Sequence, residues 1–259
     1  MVVTSLTVGA LVGILLSGGF VYWEVGRFAE PQVPVTRFDE RKEMFAYTAG
    51  LFVGVPLAVA FVLYRLELAS GDLIGGLALL AALVAGTEVA QLLLVRSRFW
   101  AGVAGPFYAL GYRAAIGGIL SLALVATYLA APFAIGIPTA TVCITAIALV
   151  ALEVAGALLS LRPDPTSGIR GGGPWSGALF GAFGFFLLGL GPIAGEVAAL
   201  AASLLVLAGA IVGYTRLRPY LDRITAPPPP ESPAPPLPPS AYGRTAEPPT
   251  AGRDSGRRP

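Results

Sequence analysis

Seven apolar runs, most of them near the roughly 20 residues a helix needs to cross hydrocarbon, dominate this 259-residue chain. They fall at about 5–23, 45–64, 73–95, 110–131, 139–161, 175–190 and 193–214. Only 12% of the residues are charged and 55% are hydrophobic, whereas soluble domains are about 25% charged. A water-soluble core could not hide so much apolar surface, and a bilayer does not require it to be hidden. The sequence therefore predicts an all-α, polytopic membrane bundle of seven spans over residues 1–220, with a tail beyond it.

Two of the runs have blurred edges. Residues 100–112 are apolar as well, and Pro106 interrupts that stretch before the fourth span. The stretch ahead of that span is read as interfacial or shortly re-entrant. The sixth run is short and Gly-rich and is followed closely by Pro192, so spans six and seven read as a tight hairpin.

Basic residues set the orientation, because loops that stay in the cytoplasm accumulate Arg and Lys. Arg27, Arg37, Arg41 and Lys42 lie between the first two runs, Arg96 and Arg98 follow the third, and Arg113 comes just beyond. Arg162 and Arg170 follow the fifth, and the tail carries Arg216, Arg218, Arg223, Arg244, Arg253, Arg257 and Arg258. With seven alternating spans, all of the 17 basic residues except Arg65 fall on one side. That predicts an N-terminus outside and a C-terminus in the cytoplasm, in the plasma membrane. The first run lacks a basic segment ahead of it, which favours a retained anchor over a cleaved signal peptide despite the small residues Ser17, Gly18 and Gly19.

Missing residue types exclude chemistry. There is no His, hence no imidazole for a zinc site, a haem or a Ser–His relay. Without Asn there is no glycosylation sequon. The single Cys143 cannot form an internal disulfide and reads as a small buried hydrophobe. Lys42 is the only lysine and lies outside every run, so a retinal Schiff base within a span is excluded. No aspartate pair sits in the spans, and Gly171–Gly173 lacks the lysine of a phosphate loop. Neither cofactor nor metal is expected, nor a nucleic-acid partner.

Outside the runs, Thr36 and Asp39 can cap a helix start. Phe38 and Phe45 share a face, consistent with a short interfacial helix leading into span two or with a solvated linker. From about 225 to 259 prolines crowd the chain, beginning with Pro227 to Pro230. Such a tail is expected to be disordered and extended, able to meet anionic lipid or a protein with a proline-binding groove.

Within the spans stand Glu88, Glu153 and Glu196, with Arg113 at the inner edge of span four. At 1.5 Å per residue, Glu88 and Glu153 lie roughly 10–12 Å inside the cytoplasmic ends of their spans. Gln91 shares the face of Glu88, and a contact between Glu88 and Arg113 is expected across spans three and four. Ionisable groups at that depth are candidates for function. They are candidates for helix pairing too. Glu196 lies near the outer end of its span, where it can snorkel.

Each of the three acids opens the tripeptide Glu-Val-Ala. Tyr47 precedes Glu88 by 41 residues and Tyr112 precedes Glu153 by 41, so a shift of 65 superposes spans two and three on spans four and five. Parallel repeats of this sort occur in transporters. Small-xxx-small pairs (Gly9 and Gly13, Gly50 and Gly54, Gly177 and Gly181, Gly209 and Gly213) predict close helix packing.

Two functional readings follow. The first is a non-enzymatic membrane component or accessory subunit. The alternative is a proton- or cation-linked small-solute transporter using Glu88 and Glu153, which requires the two carboxylates to face one polar cavity.

Overall fold

Lipid offers no hydrogen bonds to a backbone, so a spanning segment must satisfy its own amides. The protein does this with helices throughout. Its structure, a computed structural model, describes residues 2–28, 39–96, 105–130, 139–160 and 174–225. Seven helices cover these: α1 (Val2–Phe28), α2 (Glu40–Ser70), α3 (Leu73–Arg96), α4 (Gly105–Ala130), α5 (Thr139–Ser160), α6 (Pro174–Ala194) and α7 (Glu196–Thr225). No strand occurs among the described residues. Six helices, α2 to α7, are long and apolar enough to cross a membrane, while the apolar stretch of α1, Ala10–Gly26, is shorter.

Helix ends follow local chemistry. Asp39 is the N-cap of α2, its carboxylate accepting from the Arg41 amide at 2.9 Å. The charged run after it is thus the first turn of the 31-residue α2 and not a separate interfacial helix. Thr36 and Phe38 lie outside the described residues. So do residues 97–104 ahead of α4 and the Pro-rich tail from 226. Pro106 does not interrupt α4, because it stands in the first turn, where a missing N–H costs nothing. Pro192 stands inside the last turns of α6, where it gives up one helical hydrogen bond, and the helix still runs on to Ala194.

Between α2 and α3 the chain reverses on Gly71, at φ 86°, whose amide bonds back to Leu68. Asp72 then accepts from the Gly75 amide at 2.9 Å and starts α3. Gly195, at φ 112°, is the only residue between α6 and α7, which pack together as the expected hairpin.

Helix α4 is the axis of the bundle. It packs against α1, α2, α5 and α3, and most of its residues from Tyr108 to Val125 are buried. The peripheral helices turn large apolar side chains outward, among them Leu15, Phe52, Ile74, Leu93 and Val197. A soluble protein would expose few of these together; acyl chains suit them.

Small residues let α1 and α2 reach α4. Gly13 and Gly118 bring the α1 and α4 backbones together, with Ser17 beside Gly118. On α2, a Cβ at Gly50 would stand 2.7 Å from the Ala115 Cβ, and one at Gly54 would stand 2.9 Å from the Ile119 Cβ. Each of these two pairs is separated by 65 positions, the interval of the sequence repeat. The order of the contacts makes α2 and α4 run parallel here, and same-position contact is what a two-fold axis along two parallel helices produces. Polar side chains add interhelical bonds: Ser121 donates to the Ala146 carbonyl, and the hydroxyls of Thr145 and Ser203 join α5 to α7 at 2.9 Å.

Candidate functional site

Arg113 projects from the central helix α4 between α3 and α5, and its guanidinium meets an acid on each. Nη2 lies 3.2 Å from Glu88 Oε1, and Nε lies 2.8 Å from Glu153 Oε2. The second contact is an ion pair whose angles fall outside hydrogen-bond geometry. Nε also points to the Glu153 main-chain carbonyl at 3.4 Å. Arg113 and Glu153 are each 1% exposed, and Glu88 is 8% exposed.

The surroundings fit this arrangement. Ser160 donates to the second Glu88 oxygen at 2.8 Å. Gln91, one turn from Glu88, reaches across to the Ala157 carbonyl at 3.5 Å. Residue 156 is glycine, and a Cβ there would come within 2.7 Å of Arg113 Nη2. The four candidates from the sequence thus gather around the α3–α4–α5 junction. Glu196 is exposed in the first turn of α7 and takes no part.

Under the 65-residue shift the site is lopsided. Arg113 corresponds to Thr48, an exposed residue whose hydroxyl bonds to its own helix at Met44. Gly156 corresponds to Gln91. The α4–α5 stretch supplies the cation and the room for it, and the α2–α3 stretch supplies an amide.

Two carboxylates around one guanidinium leave one negative charge over when all are ionised. A groove of about 630 Å³ between α3 and α6 borders Glu88; it is otherwise lined by apolar residues, among them Leu80, Val84, Leu92, Trp175 and Ala182, with Glu88 as its sole charged wall. Among the described residues, no group of three or more His, Cys, Asp or Glu side chains converges as metal ligands would. Cys143 is half-buried on α5.

Three further charged residues, all flanking the apolar runs, are buried. Glu24 on α1 and Glu43 on α2 are fully buried, and Arg65 on α2 is 5% exposed. A signal for Glu43 was present: it continues the stripe Ala46, Gly50, Gly54 and Leu57 that α2 turns inward. Glu24 gave less warning, since it follows the end of an apolar run and its depth depends on how α1 meets its neighbours.

The chain matches no protein-family model, and no curated protein and no solved structure matches it.

Proposed function

We propose that the protein is a non-enzymatic, multi-pass component of the cell membrane, and that Glu88, Arg113 and Glu153 form the ionic joint holding its central helices in register. All seven helices span in this reading, with the N-terminus outside and the tail in the cytoplasm, where its prolines are available to a partner protein. One observation carries the reading: a single guanidinium takes up both acids among packed helices, and the groove that borders Glu88 is otherwise apolar. A transported proton or ion needs a hydrated route, and a buried pair fixed on both sides by salt bridges gives specificity to packing. The partition of Arg and Lys supports the orientation.

The test is reconstitution of the full chain in liposomes. No pH-dependent ion or solute flux is expected, and Glu88→Gln and Glu153→Gln are expected to lower thermal stability. Flux in the parent protein that disappears in folded Glu→Gln variants would overturn the reading in favour of a proton- or cation-linked small-solute transporter. The observation on that side is the surplus carboxylate, with Glu88 bordering the groove between α3 and α6.

A further inference from the structure

Of the three side chains in the ionic joint, only Glu88 keeps appreciable exposed surface, 10% of its side chain against 1% for Arg113 and 0% for Glu153. It borders the groove of about 630 Å³ between α3 and α6. Both helices line that groove with small side chains, Ala81 and Ala85 on α3 and Ala178 and Ala182 on α6, which leave the space open.

An apolar channel with one fixed polar group is the make-up of a small-molecule site. Glu88 is held on both oxygens, by Arg113 Nη2 at 3.2 Å and by the Ser160 hydroxyl at 2.8 Å. Its carboxylate is therefore fixed in place, and each oxygen has a second lone pair to offer. From Glu88 back to Leu77 the α3 wall runs roughly 16 Å at 1.5 Å per residue, long enough for a dodecyl chain. Trp175 lines the same groove, and an indole face attracts organic cations.

Charge selects the occupant. Among the described residues Glu88 is the only charged one lining the groove, and it repels an anion. A hard metal cation wants several oxygen ligands, which a single carboxylate in an apolar wall does not supply. A zwitterionic lipid would bring its phosphate to the same acid. Glu88 also stands eight residues before Arg96 at the end of α3, roughly 12 Å along the helix and too deep for a headgroup. An acyl chain alone leaves the carboxylate unanswered. We propose that this groove binds lipophilic monocations, amines with a long apolar tail, with the ammonium donating to Glu88 and the tail lying along Val84, Leu80 and Leu77.

Such a ligand enters sideways from the bilayer, since Leu77 and Leu179 at the rim are 46% and 70% exposed. Burying the tail against α3 and α6 supplies affinity, and the ammonium sets where along the groove the molecule stops. No bond forms or breaks, and Arg113 stays engaged. The binding goes beyond the structural role of the joint and does not require that the ligand be carried across the membrane.

The test uses the full chain in nanodiscs and a dodecylamine carrying a diazirine near its tail end, photolysed and mapped by mass spectrometry. Labelling is expected within residues 77–92 and 175–182, competed by dodecylamine and not by dodecanol, its neutral counterpart. Glu88→Gln should weaken the labelling about tenfold or more, the loss expected for a hydrogen bond to a charged group. That acid also serves the joint, so Ala85→Phe, which fills the groove from an exposed position outside the joint, is the second variant. It should lose the labelling and keep its thermal stability. Equal competition by dodecanol would show a groove for acyl chains with no use for charge, and would overturn the proposal without any variant. Unchanged labelling in folded Glu88→Gln or Ala85→Phe would overturn it too, as would labelling spread over the other lipid-facing helices. So would a dimer that Ala85→Phe breaks, since a second copy would then occupy the groove. Labelling is read apart from flux and stability, so its failure leaves the Arg113 joint untouched.

Discussion

Gly156 lies directly against the Arg113 guanidinium, close enough that a single added carbon would come within 2.7 Å of Nη2. The absence of a side chain on α5 is therefore part of how α4 presents its cation to two acids. Gly156→Val should push the guanidinium off Glu88 and cost about 1–3 kcal/mol, the usual range for overpacking a filled interior. Gly181→Ala, where nothing stands within 4 Å of the added carbon, is the matched control and should be near neutral. Thermal denaturation in detergent or nanodiscs reads both.

Removing the cation should hurt more than removing the whole joint. Arg113→Met leaves Glu88 and Glu153 buried without a cation, a loss of about 3–5 kcal/mol by the behaviour of other buried pairs. The triple variant Glu88→Leu, Arg113→Met, Glu153→Leu removes the charges together and should be closer to the parent. Acid should rescue the single variant, since protonation discharges the stranded carboxylates and stability rises as pH falls. A triple variant less stable than Arg113→Met would show that the ions contribute more than mutual compensation.

Topology can be checked from the two ends of α2. In a Cys143→Ala background, Arg41→Cys and Asp72→Cys introduce thiols at exposed positions. An impermeant maleimide should label Asp72→Cys in intact cells, and Arg41→Cys only after the membrane is permeabilised. Labelling of both from one side would rule out α2 as a span.

The Ser160 hydroxyl offers a milder probe. Ser160→Ala removes the 2.8 Å bond to Glu88 and should cost about 1.5–3 kcal/mol, the range for a hydrogen bond to a charged group. Adding Glu88→Gln should make the two losses less than additive, measured by a double-mutant cycle.

Helices were legible in the sequence because the bilayer imposes a length and an apolar character on every span, and α2 to α6 lie within a few residues of the runs that announced them. The Glu88–Arg113 contact was legible as well, since both residues lie at similar depth on successive spans. What escaped was whatever depends on how helices lean together. Glu24, Glu43 and Arg65 are charged and flank apolar runs, so hydropathy alone leaves them outside the spans, yet the structure buries them. Pro106 looked like a break because position within a helix turn, which decides whether proline is harmful, is not visible in a hydropathy profile.

Same-position contact between α2 and α4, at Gly50 with Ala115 and Gly54 with Ile119, bears on why the two halves belong in one polypeptide. A dimer of identical two-helix chains would carry an arginine in both halves or in neither: two cations crowded at the interface, or two acids with none. Within one chain the constraint does not apply, because positions related by the shift can carry different residues. Thr48 and Arg113, which coincide under the 65-residue shift, carry different side chains, and one guanidinium serves both acids. Like packing at Gly50–Ala115 and Gly54–Ile119 thus coexists with unlike charge at Thr48 and Arg113.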